Sequence, residues 1–199
     1  MFNLIHPSSC LIVGPSRSGK TSLAREMIRR KIYHPNIKRV KWCFSYHATW
    51  FWEEPSFHFI QGLPDSYEEG DLIVIDDLMR HLNDKISDLF TGASHHCSVS
   101  VILILQNLFP RINVMRDISL NAQYIILFKN SRDSTQINCL GRQLYPRKSK
   151  YFVDAHIKAT TKPYGYLFID IHPRTTDEYR LRENIFPDKF GLYWLYIPQ

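Results

Sequence analysis

The sequence predicts an α/β fold, a mostly parallel sheet flanked by helices. Three observations carry the prediction. Apolar runs of strand length recur at 11–13, 72–75, 99–105, 124–128 and 166–170 of the 199-residue chain. Stretches with apolar residues at helical spacing separate several of them. Two of the runs end in acids or amides, at 76–77 and 106–107, and in open α/β sheets ligands bind beyond the carboxyl ends of the strands. Strands buried on both faces and alternating with helices belong to such sheets.

Taken in order, Leu11–Val13 reads as a buried parallel strand. Gly14-Pro15-Ser16-Arg17-Ser18-Gly19-Lys20-Thr21 follows and matches the pattern of a phosphate-binding loop. Glycines at 14 and 19 let the backbone take conformations closed to residues with a Cβ. The loop's N–H groups, that of Ser22 included, then form an anion-binding nest beside the positive end of the next helix. In such a loop Lys20 reaches the β- and γ-phosphates of ATP and Thr21 ligates Mg²⁺. That helix places Leu23 and Met27, Ala24 and Ile28, and Ile28 and Ile32 at i and i+4, and ends near Ile32 before Pro35-Asn36.

Residues 38–45 alternate as a second strand through Val40, Trp42 and Phe44, and 57–60 reads as a short extra strand. The stretch from Trp42 to Phe59 is dense in aromatic residues. Its rings either stack nucleic-acid bases or pack on the sheet, and Trp50-Phe51-Trp52 is the part with least reason to be core. Asp71-Leu-Ile-Val-Ile-Asp76-Asp77 is a buried strand ending in two carboxylates. Asp76 is placed to support Mg²⁺. Asp77 points the other way by strand alternation and suits polarising a water. Residues 81–93 form a helix with Leu82, Ile86, Leu89 and Phe90 on one face. The strand 99–105 ends in Gln106-Asn107, where an amide can contact a γ-phosphate or orient water.

A connector with a short helix spans 111–121, a strand 124–128, and a helix 134–144 closed by Pro146. Arg116 and Arg132 are candidates for an arginine that stabilises transition-state charge, often from a neighbouring subunit. Arg147-Lys148-Ser149-Lys150 is a small basic cluster. A last strand covers 166–170. The division expected is a nucleotide-binding domain at 1–171 and a C-terminal arm at 172–199, whose apolar end at 193–197 docks on its own domain or a neighbour.

Composition bounds these readings. Apolar residues make up 44% of the chain, enough for one sizeable core, and the net charge is +6, which favours an acidic partner such as nucleic acid. The four cysteines are far apart, without the paired spacing of a zinc site or a disulfide framework. His95-His96-Cys97 is a weak metal cluster by spacing. No run is long enough to cross a membrane, and an intracellular, reduced protein is expected.

The strand order by sequence resembles the additional-strand, catalytic-acid division of P-loop NTPases. Within it the chain resembles the FtsK/HerA superfamily, and most of all the viral genome-packaging ATPases of the poxvirus type and of Polinton/Maverick and adintovirus elements. The residues that carry the likeness are His6-Pro7 with the loop 14–21, Ile73–Asp77, Leu105-Gln106-Asn107-Leu108-Phe109, Ser119–Asn121, Leu127–Asp133, Gln136-Ile137, Gly141–Gln143 and Tyr145-Pro146. The resemblance implies a multimeric ATPase, a ring of identical subunits, that moves double-stranded DNA into a capsid in a virion or a host nucleus or cytoplasm. It gives Lys20 and Thr21 to phosphate and Mg²⁺, Asp76 to Mg²⁺, Asp77 to the attacking water and Gln106 to sensing. The family's second acid is commonly Glu, and Asp77 is one methylene shorter. A small-molecule kinase, and a nucleotide-gated DNA-binding or scaffold protein with weak hydrolysis, are the alternatives.

Overall fold

The structure, a computed structural model, describes residues 2–78, 84–90, 97–108, 114–132 and 134–197. Eleven strands and five α-helices are assigned among them. In chain order they are β1 (Leu4–Ile5), β2 (Ser9–Val13), α1 (Lys20–Arg29), β3 (Tyr33–His34), β4 (Arg39–Phe44), β5 (Phe57–Gln61), β6 (Asp71–Asp76) and α2 (Asp84–Asp88). There follow β7 (Ser100–Leu105), α3 (Val114–Asn121), β8 (Tyr124–Phe128), α4 (Ser134–Leu144), α5 (Ser149–Ala159), β9 (Tyr166–Asp170), β10 (Leu181–Arg182) and β11 (Leu195–Tyr196).

Nine strands make one sheet in the order β11-β10-β9-β8-β2-β7-β6-β4-β5, while β1 and β3 form a small parallel pair beside it. From β8 to β5 neighbouring strands are parallel; β9, β10 and β11 are added antiparallel. The sheet is therefore mixed, with a parallel centre. The order places β7 between the loop-bearing β2 and the acid-bearing β6.

Period-two alternation sorts the apolar residues of the central strands onto two faces. Leu11, Val13, Ile73, Ile75, Val101, Leu103, Ile125 and Leu127 pack with residues of α2, α3, α4 and α5 on one side. Cys10, Ile12, Leu72, Val74, Ile102, Ile104 and Ile126 pack with Leu23, Ala24 and Met27 of α1 and with the β1/β3 pair on the other. Apolar residues on both faces are what make these strands read as continuous hydrophobic runs.

Of the helix expected at 81–93, Asp84–Asp88 is helical, and Ile86, Leu89 and Phe90 are buried. Leu82 and the remainder lie outside the described residues, as do His95, His96 and Asp133. Helix α5 went unforeseen because 147–150 draws attention as a basic cluster, yet Phe152, Ala155 and Ala159 line its buried side. At the C-terminus, β10 and β11 extend the sheet edge beyond β9, and the Tyr151 hydroxyl donates to the Tyr196 carbonyl. Among the described residues no helix is long and apolar enough to cross a membrane.

The aromatic stretch is mostly core. Trp42 is fully buried, stacks on Phe57 at 5.8 Å and meets Trp50 edge-on at 5.0 Å, and Phe51 stacks on Phe59 at 4.0 Å. The 3₁₀ turn Thr49–Glu53 holds these rings, and its acids reach α1: Arg25 bonds Glu53 and Glu54, and Arg29 bonds Glu54 at 2.7 Å. Trp52 and Tyr46 remain exposed.

One ion pair anchors the start of β6. The carboxylate of Asp71 is buried and accepts from Arg39 Nε at 2.6 Å, from Lys41 Nζ at 2.9 Å and from the Glu68 N–H at 2.8 Å. Burial pushes its pKa up, but the hydrogen bonds from Lys41, Arg39 and Glu68 outweigh this and hold it below the ordinary carboxylate range. Removing the charge takes the counter-ion from a largely buried lysine, whose Nζ keeps the Ser66 carbonyl at 2.9 Å, so Asp71→Asn should cost about 2–4 kcal/mol. In thermal unfolding at pH 7 the variant should melt roughly 5–15 °C lower. A depressed carboxylate stabilises the fold above its unfolded pKa and loses that contribution as pH falls. The gap between variant and wild type should therefore narrow below about pH 4, and equal melting at pH 7 would remove the anchoring role.

Candidate active site

Parallel register brings three strand ends to one level. Val13 of β2 lies opposite Leu105 of β7, and Asp76 of β6 lies opposite Ile104 of β7. Residues 14–22, Gln106 and the acid pair 76–77 thus emerge side by side from the carboxyl edge of the sheet. The Gly14 N–H donates to the Leu105 carbonyl at 3.1 Å, tying the loop to the end of β7.

The loop needs its glycines for different reasons. A Cβ on Gly14 would stand 2.6 Å from Phe128 Cβ and 2.8 Å from Ser18 Oγ, so the site has no room for one. Gly19 has φ of 98° and is the N-cap of α1, a left-handed position. Arg17 is also left-handed, with φ of 64°. These turns close the loop back onto the first turn of α1, which begins at Lys20.

Lys20 is buried and its Nζ donates to the Pro15 carbonyl at 2.8 Å. Burial lowers its pKa, while the charges of Asp76 and Asp77 oppose that shift. The Thr21 hydroxyl donates to Asp76 Oδ2 at 3.0 Å. Burial raises the Asp76 pKa to about 6, with Asp77 adding to the shift and Thr21 and Lys20 acting against it. A carboxylate and a hydroxyl side by side are the hard oxygen donors that Mg²⁺ takes, and a cation there would hold Asp76 ionised.

Asp77 does not project by strand alternation as expected. The strand ends at Asp76, and Asp77 has a left-handed backbone, φ of 55°. Its carboxylate still faces the loop: Gln106 Nε2 donates to Asp77 Oδ1 at 3.4 Å, and both line a cavity of about 290 Å³ with Lys20, Thr21 and Asp76. The segment after Gln106 is braced by Gln136 of α4, whose amide accepts from the Leu108 N–H at 2.8 Å and donates to Asn107 Oδ1 at 2.6 Å.

Two further cavities flank the loop. One of about 610 Å³ lies over Ser18–Leu23, walled by Glu26, Phe128, Tyr164 and Tyr166. The other, a groove of about 970 Å³, runs past Pro15–Ser18 to Gln106 and carries Arg17, Lys129, Arg132 and Lys162. Loop residues 15–22, Asp76, Asp77 and Gln106 thus come together. Arg132 is exposed and reaches the rim of the loop through this groove. Arg116 is exposed on α3 and lines none of these three cavities.

Tyr164 was not singled out from the sequence. Its only signal there is the flanking Pro163 and Gly165, which mark a turn. No group of three or more His, Cys, Asp or Glu residues able to hold a metal ion is found among the described residues.

No protein-family model and no curated protein matches the sequence. Solved structures do. The DNA-packaging ATPase B204 of Sulfolobus turreted icosahedral virus aligns over 98% of this chain and 99% of its own, with 12% identity and a TM-score of 0.57. The genome packaging NTPase B204 of Sulfolobus turreted icosahedral virus 2 aligns in complex with AMPPCP over 97% and 98% (14% identity, TM-score 0.55) and in complex with ATP-gammaS over 96% and 97% (14%, 0.54). At these identities the likeness is one of fold. This chain has the P-loop NTPase fold of these structures, with β7 as a strand added between β2 and β6.

The partly buried Asp76 gives the site a signature that can be read without ligand. A carboxyl whose folded pKa lies above its unfolded value near 3.8 favours the fold in its protonated form, and stability falls as pH rises from about 4 to about 6. Asp76→Asn keeps an acceptor for Thr21 and removes the charge. In metal-free, nucleotide-free buffer at pH 8 it should be the more stable protein, by up to about 3 kcal/mol, and the advantage should vanish near pH 4. Denaturant unfolding at the two pH values checks this, and a variant less stable than wild type at pH 8 would contradict it.

Proposed function

We propose that this protein is an ATP-hydrolysing motor that translocates double-stranded DNA during viral genome packaging. The observation that carries the reading is the meeting of Lys20 and Thr21 with Asp76, Asp77 and Gln106 across the added strand β7. The fold shared along its whole length with B204 from two archaeal viruses supports the packaging role.

In this reading backbone N–H groups of residues 16–22 and the Lys20 ammonium bind the triphosphate of ATP, helped by the N-terminus of α1. Thr21 and Asp76 hold Mg²⁺, which when bound neutralises charge on the β- and γ-phosphates. Asp77 accepts the proton of the attacking water, and Gln106, bonded to Asp77, reports whether a γ-phosphate is present. Arg132 supplies transition-state charge, from its own groove or to a neighbouring subunit; Arg116 serves only in trans, since it stands away from its own loop. Residues 1–171 form the ATPase domain and 172–199 an arm that completes its sheet. The active form is a homo-oligomeric ring that meets capsid components inside an infected cell, and the kinship is with FtsK/HerA-type packaging ATPases of poxviruses, Polintons and adintoviruses.

ATP turnover should rise with double-stranded DNA and more than linearly with protein concentration, because a charge donated in trans requires assembly. A rate proportional to protein and indifferent to DNA, with phosphoryl transfer to a small acceptor, would replace the motor by a kinase. Lys20→Ala should abolish turnover. Asp77→Asn should retain ATP binding and hydrolyse on the order of a hundredfold more slowly or worse. Full turnover by Asp77→Asn would remove the base from Asp77.

A further inference from the structure

Tyr164 stands out on three independent counts. Its ring is 72% exposed although it lies in the loop between α5 and β9, at the base of the sheet's active edge. Its backbone is left-handed, φ of 59°, a conformation that glycine or asparagine adopts far more readily than an aromatic residue. Finally, its ring leans on the phosphate loop. A Cβ built on Gly19 would come 3.4 Å from Tyr164 Cδ1. Among the described residues its hydroxyl has no hydrogen-bond partner, so neither burial nor a polar contact explains why a tyrosine sits there. Strain held at a cavity wall is the usual mark of a side chain placed for a ligand.

It borders both the basic groove and the cavity over Ser18–Leu23, and the latter, about 610 Å³, is of nucleoside size and has aromatic walls. Its floor is apolar and rigid. Phe128 and Tyr166 meet at 5.2 Å, and the Tyr166 hydroxyl accepts from the Ile185 N–H at 3.2 Å. Of the polar side chains at its rim, Glu26 has its carboxylate already paired with Arg30 at 2.5 Å, and Arg17 presents donors only.

We infer that Tyr164 is the platform on which the base of the bound nucleotide stacks, and that the site recognises a purine by its face rather than its edge. The inference rests on the nucleotide-binding reading of the loop and extends it to the half of the ligand that the loop does not touch. Stacking on an aromatic ring tolerates any base with a broad π-face, so GTP should bind nearly as well as ATP and pyrimidine nucleotides less well.

The test separates base from phosphate. Binding of ATP and of inorganic tripolyphosphate to the full chain is measured, both with Mg²⁺, for wild type, Tyr164→Asn and Tyr164→Trp. Tyr164→Asn should weaken ATP on the order of ten- to a hundredfold and leave tripolyphosphate unchanged, while Tyr164→Trp retains ATP. Asparagine suits φ of 59°, so the weakened variant should melt no lower than wild type. That pairing of lost affinity with intact stability is one a purely structural tyrosine would not produce. Unchanged ATP affinity in Tyr164→Asn, or equal losses of ATP and tripolyphosphate, would overturn the stacking role. GTP binding more than about a hundredfold weaker than ATP would overturn recognition by face. A wild-type protein that binds neither ATP nor tripolyphosphate would bring down the nucleotide reading itself, and this inference with it.

Discussion

The register of β2, β7 and β6 is the constraint on which the site depends. Because the three strands are parallel and end at one level, the loop after Val13, the amide after Leu105 and the acids at 76–77 leave the sheet as neighbours. A slip of one residue would turn each strand's buried set to the wrong face. Both faces of all three strands are packed against apolar layers, so the register is held from both sides. The bond from Gly14 N–H to the Leu105 carbonyl continues the ladder one residue past the strand and delivers the loop to its place.

Around that register lie three of the left-handed non-glycine residues and a buried charge. Arg17, Asp77 and Tyr164 have left-handed backbones within or beside the loop, as Lys31 and Ser98 do elsewhere. Lys20 and Asp76 are pressed toward their neutral forms by burial. The burial of charge opposes stability, and a polyphosphate beside Lys20 or a cation beside Asp76 would offset it. By contrast, Asp71 at the far end of the same strand β6 is fully compensated by Arg39, Lys41 and a backbone N–H. One strand thus begins in a satisfied carboxylate and ends, at Asp76, in a poised one.

Legibility of the fold followed burial. The strands at 124–128 and 166–170 and the helix at 134–144 have the bounds expected of them, because a long apolar period leaves little choice. The short strands β1, β3, β10 and β11 have two residues each and no period to read; only their partners define them. The aromatic stretch was open between base stacking and packing, since rings suit both. Its inward rings are core, because Trp42 and Phe57 share a face of adjacent strands β4 and β5.

For the site, the sequence by itself determined the phosphate loop, the acid pair and the polar strand end. Each is a contiguous pattern whose chemistry lies in backbone and side chains within a few residues of one another. Only the tertiary structure decided that β7 lies between the other two strands and that Asp77 turns by a left-handed backbone rather than by alternation. The same holds for Arg132 bordering the loop while Arg116 does not, and for Tyr164 leaning on Gly19 from 145 positions away. The physical reason is common to all of these. Strand order, and the approach of loops distant in the chain, are set by which apolar faces bury one another, and that pairing leaves no mark in any single stretch of residues.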